Sequence, residues 1–330
     1  MNFLKLFYTL CFTACFIQAE AQGVVLEINT NKSGAEIAPT MYGIFFEDIN
    51  YGADGGLYGE LVKNRSFEFP QPLMGWNTIG GVEVRNDGPF IRCPHYVRLS
   101  YSGKRDMSTG IENRGFLGMS LLGGEEYRFT VWARVPGDAQ AQLNVGLRDL
   151  DSQEESFTVC DTNINVCGSE WRKYAVVLTP PHTIKKASLT VFLKGNTPVD
   201  VEHVSLFPVN TWRGHENGLR KDLAQLVADL RPGVMRFPGG CIVEGATLNT
   251  RYNWKNSIGP VENRPLNETR WNYGKERTHF DYYQSYGLGF FEFFQFCEEI
   301  GAEPLPVLSC GMACQFNNDI TTKGSWIAQG

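Results

Sequence analysis

The apolar period changes along the chain, and that change limits its folds more than any single motif. From about residue 75 to 208, apolar and polar residues alternate. Tyr127, Phe129, Val131, Ala133 and Val135 form one series, Leu143, Val145 and Leu147 a second, and Leu189, Val191 and Leu193 a third. Successive side chains of a strand point to opposite faces, so each series marks one buried face. Several such series separated by turn residues predict an antiparallel β-sandwich. From about residue 218 the spacing becomes helical. Leu219, Leu223, Leu226, Val227 and Leu230 fall on one face, and Pro232-Gly233 stops the helix. Short apolar strands are predicted over 234–237 and 305–308. Between them a phenylalanine-rich helix is predicted over 290–300, closed by Gly301. Helix, strand, helix, strand with apolar strands indicates α/β organisation around parallel strands.

The same α/β character appears before the sandwich. VVLEI, starting at Val24, reads as a short strand, and residues 41–46 (MYGIFF) as a second one ending at Glu47-Asp48. Residues 57–62 can form a helical turn. An α/β unit that begins near residue 41, is interrupted, and resumes near residue 218 is therefore expected. The segments are read as 1–21 leader, 22–74 start of the α/β unit, 75–210 inserted sandwich and 211–330 its resumption. In the leader, Lys5 precedes a short apolar run over 6–17, and Ala19-Glu20-Ala21 fits a cleavage site after Ala21. Secretion or a periplasmic location is expected. Lipid attachment at Cys15 is the weaker alternative. About 12 apolar residues are too few to span a bilayer as a helix, and no later run is longer.

Net charge is −6, from 30 basic and 36 acidic residues with no block of one sign, so nucleic-acid binding is not expected. Gly287-Leu288-Gly289 lacks the third glycine of a dinucleotide loop. Seven cysteines lie beyond the leader. Cys160 with Cys167, and Cys310 with Cys314, can each be read as pairs or as free thiols. The C-x₃-C spacing without a nearby histidine argues against zinc. Neither a metal nor a cofactor is expected.

The candidate site residues follow strand ends, where α/β barrels keep their ligands. Glu47 and Asp48 can accept from substrate hydroxyls, act as acid or base, or serve as a salt bridge or cap. Arg236, inside an apolar strand, needs a carboxylate or a ligand. Gly239-Gly240-Cys241 allows close approach of backbone after that strand. Trp254 and Trp271, with Tyr252, Tyr273, Tyr282, Tyr283 and Tyr286, either stack on sugar rings or pin a long polar loop. Phe290, Phe291, Phe293, Phe294 and Phe296 are expected in the core.

Residues 41–69, MYGIFFEDINYGADGGLYGELVKNRSFEF, resemble the N-terminal signature of glycoside hydrolase family 51, the α-L-arabinofuranosidases. The likeness resumes at LRKDLAQLVADLRPGVMRFPGGCIVEG (219–245), YNWKNSIGPVENRP (252–265) and LGFFEFFQFCEEIGAEPLPVLSCG (288–311). The segment between resembles a carbohydrate-binding module, as in YRFTVWARV and VEHVSLFP. The resemblance implies a (β/α)₈ barrel whose N-terminal part is interrupted by a jelly-roll-like β-sandwich. It implies retaining hydrolysis of terminal non-reducing α-L-arabinofuranosides in arabinan, arabinoxylan or arabinogalactan, with two catalytic glutamates. It assigns Glu47, Arg236, Cys241 and Trp254 to substrate binding. Cys241 falls where many relatives have asparagine, a better hydrogen-bond partner. The acid/base glutamate of the family follows asparagine on the fourth barrel strand, and the nucleophile lies on the seventh. Asn267-Glu268 sits in the polar loop and does not match, so both glutamates are expected beyond Gly330, and the chain reads as an inactive fragment. The alternative is a carbohydrate-binding protein acting through the sandwich. Arabinose-containing plant polysaccharides are the expected partners, and the full-length family leaves room for a homo-oligomer.

Overall fold

The computed structural model describes residues 26–314 apart from 102, 104–107, 138, 153–157 and 274–280. The leader and its cleavage site lie outside the described residues. Two units separate, residues 1–38 and 39–330. In the first, residues 26–28 of the expected VVLEI strand are not in a strand, and a turn closes from Lys32 N–H to the Asn29 carbonyl at 3.3 Å. An isolated strand has no ladder bonds to hold it extended.

In the second unit the strands are β1 (Gly43–Phe45), β2 (Trp76–Ile79), β3 (Gly81–Arg85), β4 (Tyr96–Ser100), β5 (Thr109–Asn113), β6 (Tyr127–Arg134), β7 (Gln140–Asp149), β8 (Thr158–Cys167), β9 (Arg172–Leu178), β10 (Ala187–Lys194) and β11 (Val199–Pro208). Helix α1 (Lys221–Asp229) leads to β12 (Val234–Phe237), then α2 (Cys241–Glu244), β13 (Asn267–Glu268), β14 (Tyr283–Gln284), α3 (Phe290–Ile300) and β15 (Glu303–Pro306). Two antiparallel sheets, β2-β5-β10-β7-β8 and β3-β4-β11-β6-β9, make the sandwich. The alternating series named above form its core, with Phe129, Val131, Val145 and Val191 fully buried. That core also takes Val62 and Phe67, and packs Leu61 and Leu73, all of which precede β2.

The third sheet is parallel, in the order β1-β12-β15. Ile44 pairs with Met235, and Arg236 with both Phe45 and Leu305. Strand β15 begins and ends two residues earlier than expected. The N–H groups of Glu303 and Val307 donate to Gly233 and Phe237 of the β12 side. Pro304 and Pro306 therefore turn their missing N–H toward the outer edge, where proline is tolerated. Residues 57–62 form no helical turn. The chain turns earlier, with Leu57 N–H bonded to the Gly52 carbonyl at 2.8 Å and Tyr58 N–H to Ala53 at 3.0 Å.

Helices α1 and α3 lie where the period places them, and Gly301 closes α3 in the left-handed conformation at φ 72°. Their apolar stripes are wider than the surface they bury. Phe237 stacks on Phe293 at 4.6 Å and meets Phe290 at 5.6 Å. Phe291 and Phe294, expected in the core, are 62% and 42% exposed, and Leu226 and Leu230 of the α1 stripe are exposed as well. Three strands cover one side of each helix only.

Two buried carboxyls hold the loop after β1. Asp48 accepts from Tyr282 Oη (2.5 Å), Ala53 N (2.9 Å) and Gln284 Nε2 (3.0 Å). Asp54 accepts from Ser285 N (2.7 Å) and Ser285 Oγ (2.8 Å). Burial, then the charge of Asp48, pushes the Asp54 carboxyl up to about 6 from 3.8. An acid raised on folding stabilises most below its unfolded pKa, and that contribution is lost as pH rises through the folded one. About two pH units correspond to about 3 kcal/mol. Urea midpoints of wild-type protein should therefore fall between pH 4 and 6 relative to those of Asp54→Asn. Parallel pH profiles for the two proteins would refute this.

Candidate functional site

The site is assembled at the C-terminal ends of β1 and β12. Glu47 follows β1 by two residues and is half-buried, whereas Asp48 is 1% exposed with its three donors. Adjacent residues on an extended chain face opposite ways, so only Glu47 turns to the strand ends. Its Oε1 accepts from the backbone N–H of Ile242 at 3.1 Å, which fixes the carboxylate against the loop after β12. Gly239 makes that approach possible. Its φ is 155°, and a Cβ there would sit 2.6 Å from Glu47 Cγ and 2.7 Å from Ile242 Cγ1.

Arg236 reaches the same corner from β12, and it is exposed there, not buried as its place between Met235 and Phe237 suggests. The position a Cβ would take at Gly240 lies 3.6 Å from Arg236 Nη2 and 3.8 Å from Glu47 Oε2, so the two charged ends flank one point. Phe45 supports the guanidinium, whose centre lies 4.4 Å from the ring centroid. A carboxylate and a planar five-donor fork at one strand end suit a polyhydroxylated ligand, the carboxylate accepting from hydroxyls and the fork donating to oxygens.

Cys241 opens α2 beside this corner. Burial raises its thiol pKa, while Arg270 is the largest opposing influence. One helical turn on, Glu244 lies against it, and Cys314 comes from the loop after β15. The sulfurs and a carboxylate oxygen of the three lie within 4.8 Å of one another. Arg270 Nε donates to Cys314 Sγ at 3.3 Å, and its guanidinium stacks on Trp271 at 4.5 Å. Arg270, Glu244 and Cys314 were not candidates from sequence. They converge from three separate segments, and no spacing signals that.

The cysteine pairs read from sequence do not form. Cys310 is exposed and Cys314 buried, and no disulfide joins them. Cys160 and Cys167 sit seven residues apart on one strand, β8, and extended chain separates them by roughly 23 Å, whereas a disulfide spans under about 7 Å between Cα atoms.

Trp254 is 39% exposed and is joined to β12 through rings, stacking on Phe290 at 6.1 Å, with Phe290 against Phe237. The nearby loop aromatics mostly pin the loop. Tyr252, Tyr282, Tyr283 and Tyr286 are buried, and Tyr252 meets Tyr286 edge-on at 4.8 Å. Asn267-Glu268 forms β13, paired with β14 away from the parallel sheet. The same loop covers an outer face of the sandwich. Glu262 accepts from Trp132 Nε1 (3.4 Å) and Lys173 Nζ (3.0 Å). No helix among the described residues is long and apolar enough to cross a membrane.

Residues 226–328 match the α-L-arabinofuranosidase 1 domain family, and residues 59–198 a carbohydrate binding domain family. An extracellular exo-α-L-arabinofuranosidase of Streptomyces chartreusis is 39% identical over 304 residues, which is 86% of this chain and 34% of that protein. α-L-Arabinofuranosidase 1 of Arabidopsis thaliana is 33% identical over 91% of this chain and 44% of its own length. An arabinose-bound family 51 α-L-arabinofuranosidase structure superposes with a TM-score of 0.71 at 27% identity, covering 84% of this chain and 45% of the other. The chain thus spans about a third to a half of the length of these relatives.

Proposed function

The chain belongs to the α-L-arabinofuranosidase family, and on that premise we propose that it carries the arabinofuranose-recognising strand ends of a retaining exo-hydrolase. The observation that carries this reading is the corner where Glu47 and Arg236 flank Gly240 on adjacent parallel strands. In the proposed activity, terminal non-reducing α-L-arabinofuranosides are removed from arabinose-containing polysaccharides outside the cell. Glu47 accepts from the sugar hydroxyls, Arg236 orients the catalytic carboxylates, Cys241 borders the ring and Trp254 offers a stacking face. The β1-β12-β15 sheet is the first part of a (β/α)₈ barrel, and the sandwich is an insert between its first two strands. We place the start of that insert near residue 59, since Val62 and Phe67 belong to its core. The acid/base and nucleophile glutamates are proposed to lie outside residues 1–330.

A second reading has its own support, a sandwich that binds carbohydrate by itself. On the outer face of β2-β5-β10-β7-β8, Thr190 lies across from Glu112 and Gly146, and Phe192 across from Gly110. Phe192 closes over Gly110, and Thr158 and Asp161 over Gly146, so this reading rests on the likeness of residues 59–198 to a carbohydrate binding domain family. Glu112 accepts from Ser188 Oγ at 2.7 Å and Asn77 Nδ2 at 3.1 Å.

Saturation-transfer NMR with methyl α-L-arabinofuranoside separates the readings. Signal from residues 1–330 should fall several-fold in Glu47→Ala and in Arg236→Ala. Residues 59–210 alone should give none and should stay in the supernatant over arabinan. Equal signal from the two variants, or retention of the sandwich on arabinan, would favour the second reading.

A further inference from the structure

We propose that Cys241, Glu244 and Cys314 bind one thiophilic divalent cation of the zinc class. The inference does not depend on the glycosidase reading, because it rests on the ligand atoms alone. Two sulfurs and a carboxylate oxygen lie within 4.8 Å of one another, with Cys314 buried and the other two half-buried. A tetrahedral centre with Zn–S near 2.3 Å and Zn–O near 2.1 Å sets its ligand atoms roughly 3.6–3.8 Å apart. Rotamer adjustments of about an ångström close the set.

The backbone already holds the ligands in register. Cys241 and Glu244 stand one helical turn apart on α2, the i, i+3 relation that places two side chains on one face. Cys314 N–H donates to the Gly245 carbonyl at 3.1 Å, tying the loop after β15 to the end of that turn. Arg270 supplies the outer contact that metal-bound thiolates attract, its Nε donating to Cys314 Sγ at 3.3 Å. Charges balance as well. Two thiolates and a carboxylate carry three negative charges, against two on the cation and one on Arg270. Two protons leave the thiols when the cation binds, so affinity rises with pH. Three protein ligands leave a fourth position for water, the pattern of exchangeable rather than closed zinc sites. Of the C-x₃-C pair, which spacing argued against, only Cys314 takes part, and Cys310 is exposed.

Cobalt(II) titration of reduced, metal-free residues 1–330 tests the site. One equivalent should produce the thiolate-to-cobalt charge-transfer band and the visible bands of a tetrahedral ion, and zinc should bleach both. Cys241→Ser and Cys314→Ser should each weaken binding at least about tenfold at unchanged far-ultraviolet circular dichroism. Glu244→Gln should keep the charge-transfer band but need more cobalt to saturate. Cys310→Ser should match wild type. Absence of the charge-transfer band overturns the proposal. So does equal loss in Cys310→Ser, or a Cys241–Cys314 disulfide peptide in a non-reducing digest of protein purified without oxidant.

Discussion

Residues 1–330, purified as one polypeptide, should release arabinose from an aryl α-L-arabinofuranoside no faster than buffer does. A retaining glycosidase needs two carboxyl groups about 5–5.5 Å apart, one as nucleophile and one as acid/base. The strand ends do not offer such a pair on β1. Asp48 is spent on three donors in the interior, where burial raises its pKa, and a ligand cannot reach it. Glu47 faces the site, but one oxygen is committed to Ile242 N–H. That is the posture of a residue that accepts from hydroxyls. General acid–base catalysis alone contributes roughly 10²–10⁴, so with both glutamates placed outside residues 1–330, as proposed, the expected deficit is many orders of magnitude. A discontinuous assay over days with chromatographic detection of arabinose is the appropriate measurement. Turnover above buffer that disappears in Glu47→Gln would sink the idea, because it would show that these strand ends already hold a working pair. The relatives run to more than twice the length matched here, which is ample chain for two further carboxylates.

The sequence exposes the sandwich and the order of the α/β elements for a simple reason. Each strand of the sandwich has one face in a two-sided core, so Phe129, Val131 and Ala133 announce their pairing by spacing alone. What spacing does not reveal is how much partner surface exists. The α1 stripe and the phenylalanines of α3 read as buried faces, yet Leu226, Leu230 and Phe291 are exposed, because burial depends on neighbouring strands and not on the helix itself. The start of β15 was misplaced for a related reason. The apolar run LPVL suggested 305–308, whereas the ladder to β12 sets 303–306. At the site, Glu47 and Arg236 were legible as polar residues at apolar strand ends. The choice between Glu47 and Asp48 was not, because it turns on contacts with Tyr282 and Gln284 more than 230 positions away. Arg270, Glu244 and Cys314 were hidden in the same way.

Glu60→Ala should destabilise the polypeptide by about 3–5 kcal/mol, the cost of leaving a buried charge without its partner. Glu60 and Arg65 are almost fully buried and paired at 3.2 Å. Burial pushes the Glu60 carboxyl up, and Arg65 is the largest influence opposing it. The carboxylate does more than neutralise Arg65. It accepts from Val62 N and Leu206 N at 3.0 Å each and from Ser205 Oγ at 2.6 Å. Ser205 and Leu206 belong to β11, the last strand of the sandwich, while Glu60 and Arg65 lie in the segment that leaves β1. Arg65 adds a bond to Tyr58 Oη at 3.1 Å, and Tyr58 packs in the other core, edge-on to Phe207. The Glu60–Arg65 pair thus joins the sandwich, through Ser205 and Leu206, to the parallel-sheet core, through Tyr58. Removing the carboxylate strands a guanidinium and two backbone donors together, and each buried unpaired donor costs roughly 1–3 kcal/mol. Beyond the lower urea midpoint, hydrogen exchange should show the parallel-sheet segment losing protection before the sandwich, whose core is self-contained. The double variant Glu60→Leu, Arg65→Met should recover much of the loss, since no charge is then left uncompensated. A single-variant loss under about 1 kcal/mol, or no recovery in the double, would mean that the two cores are joined by apolar packing and not by this pair.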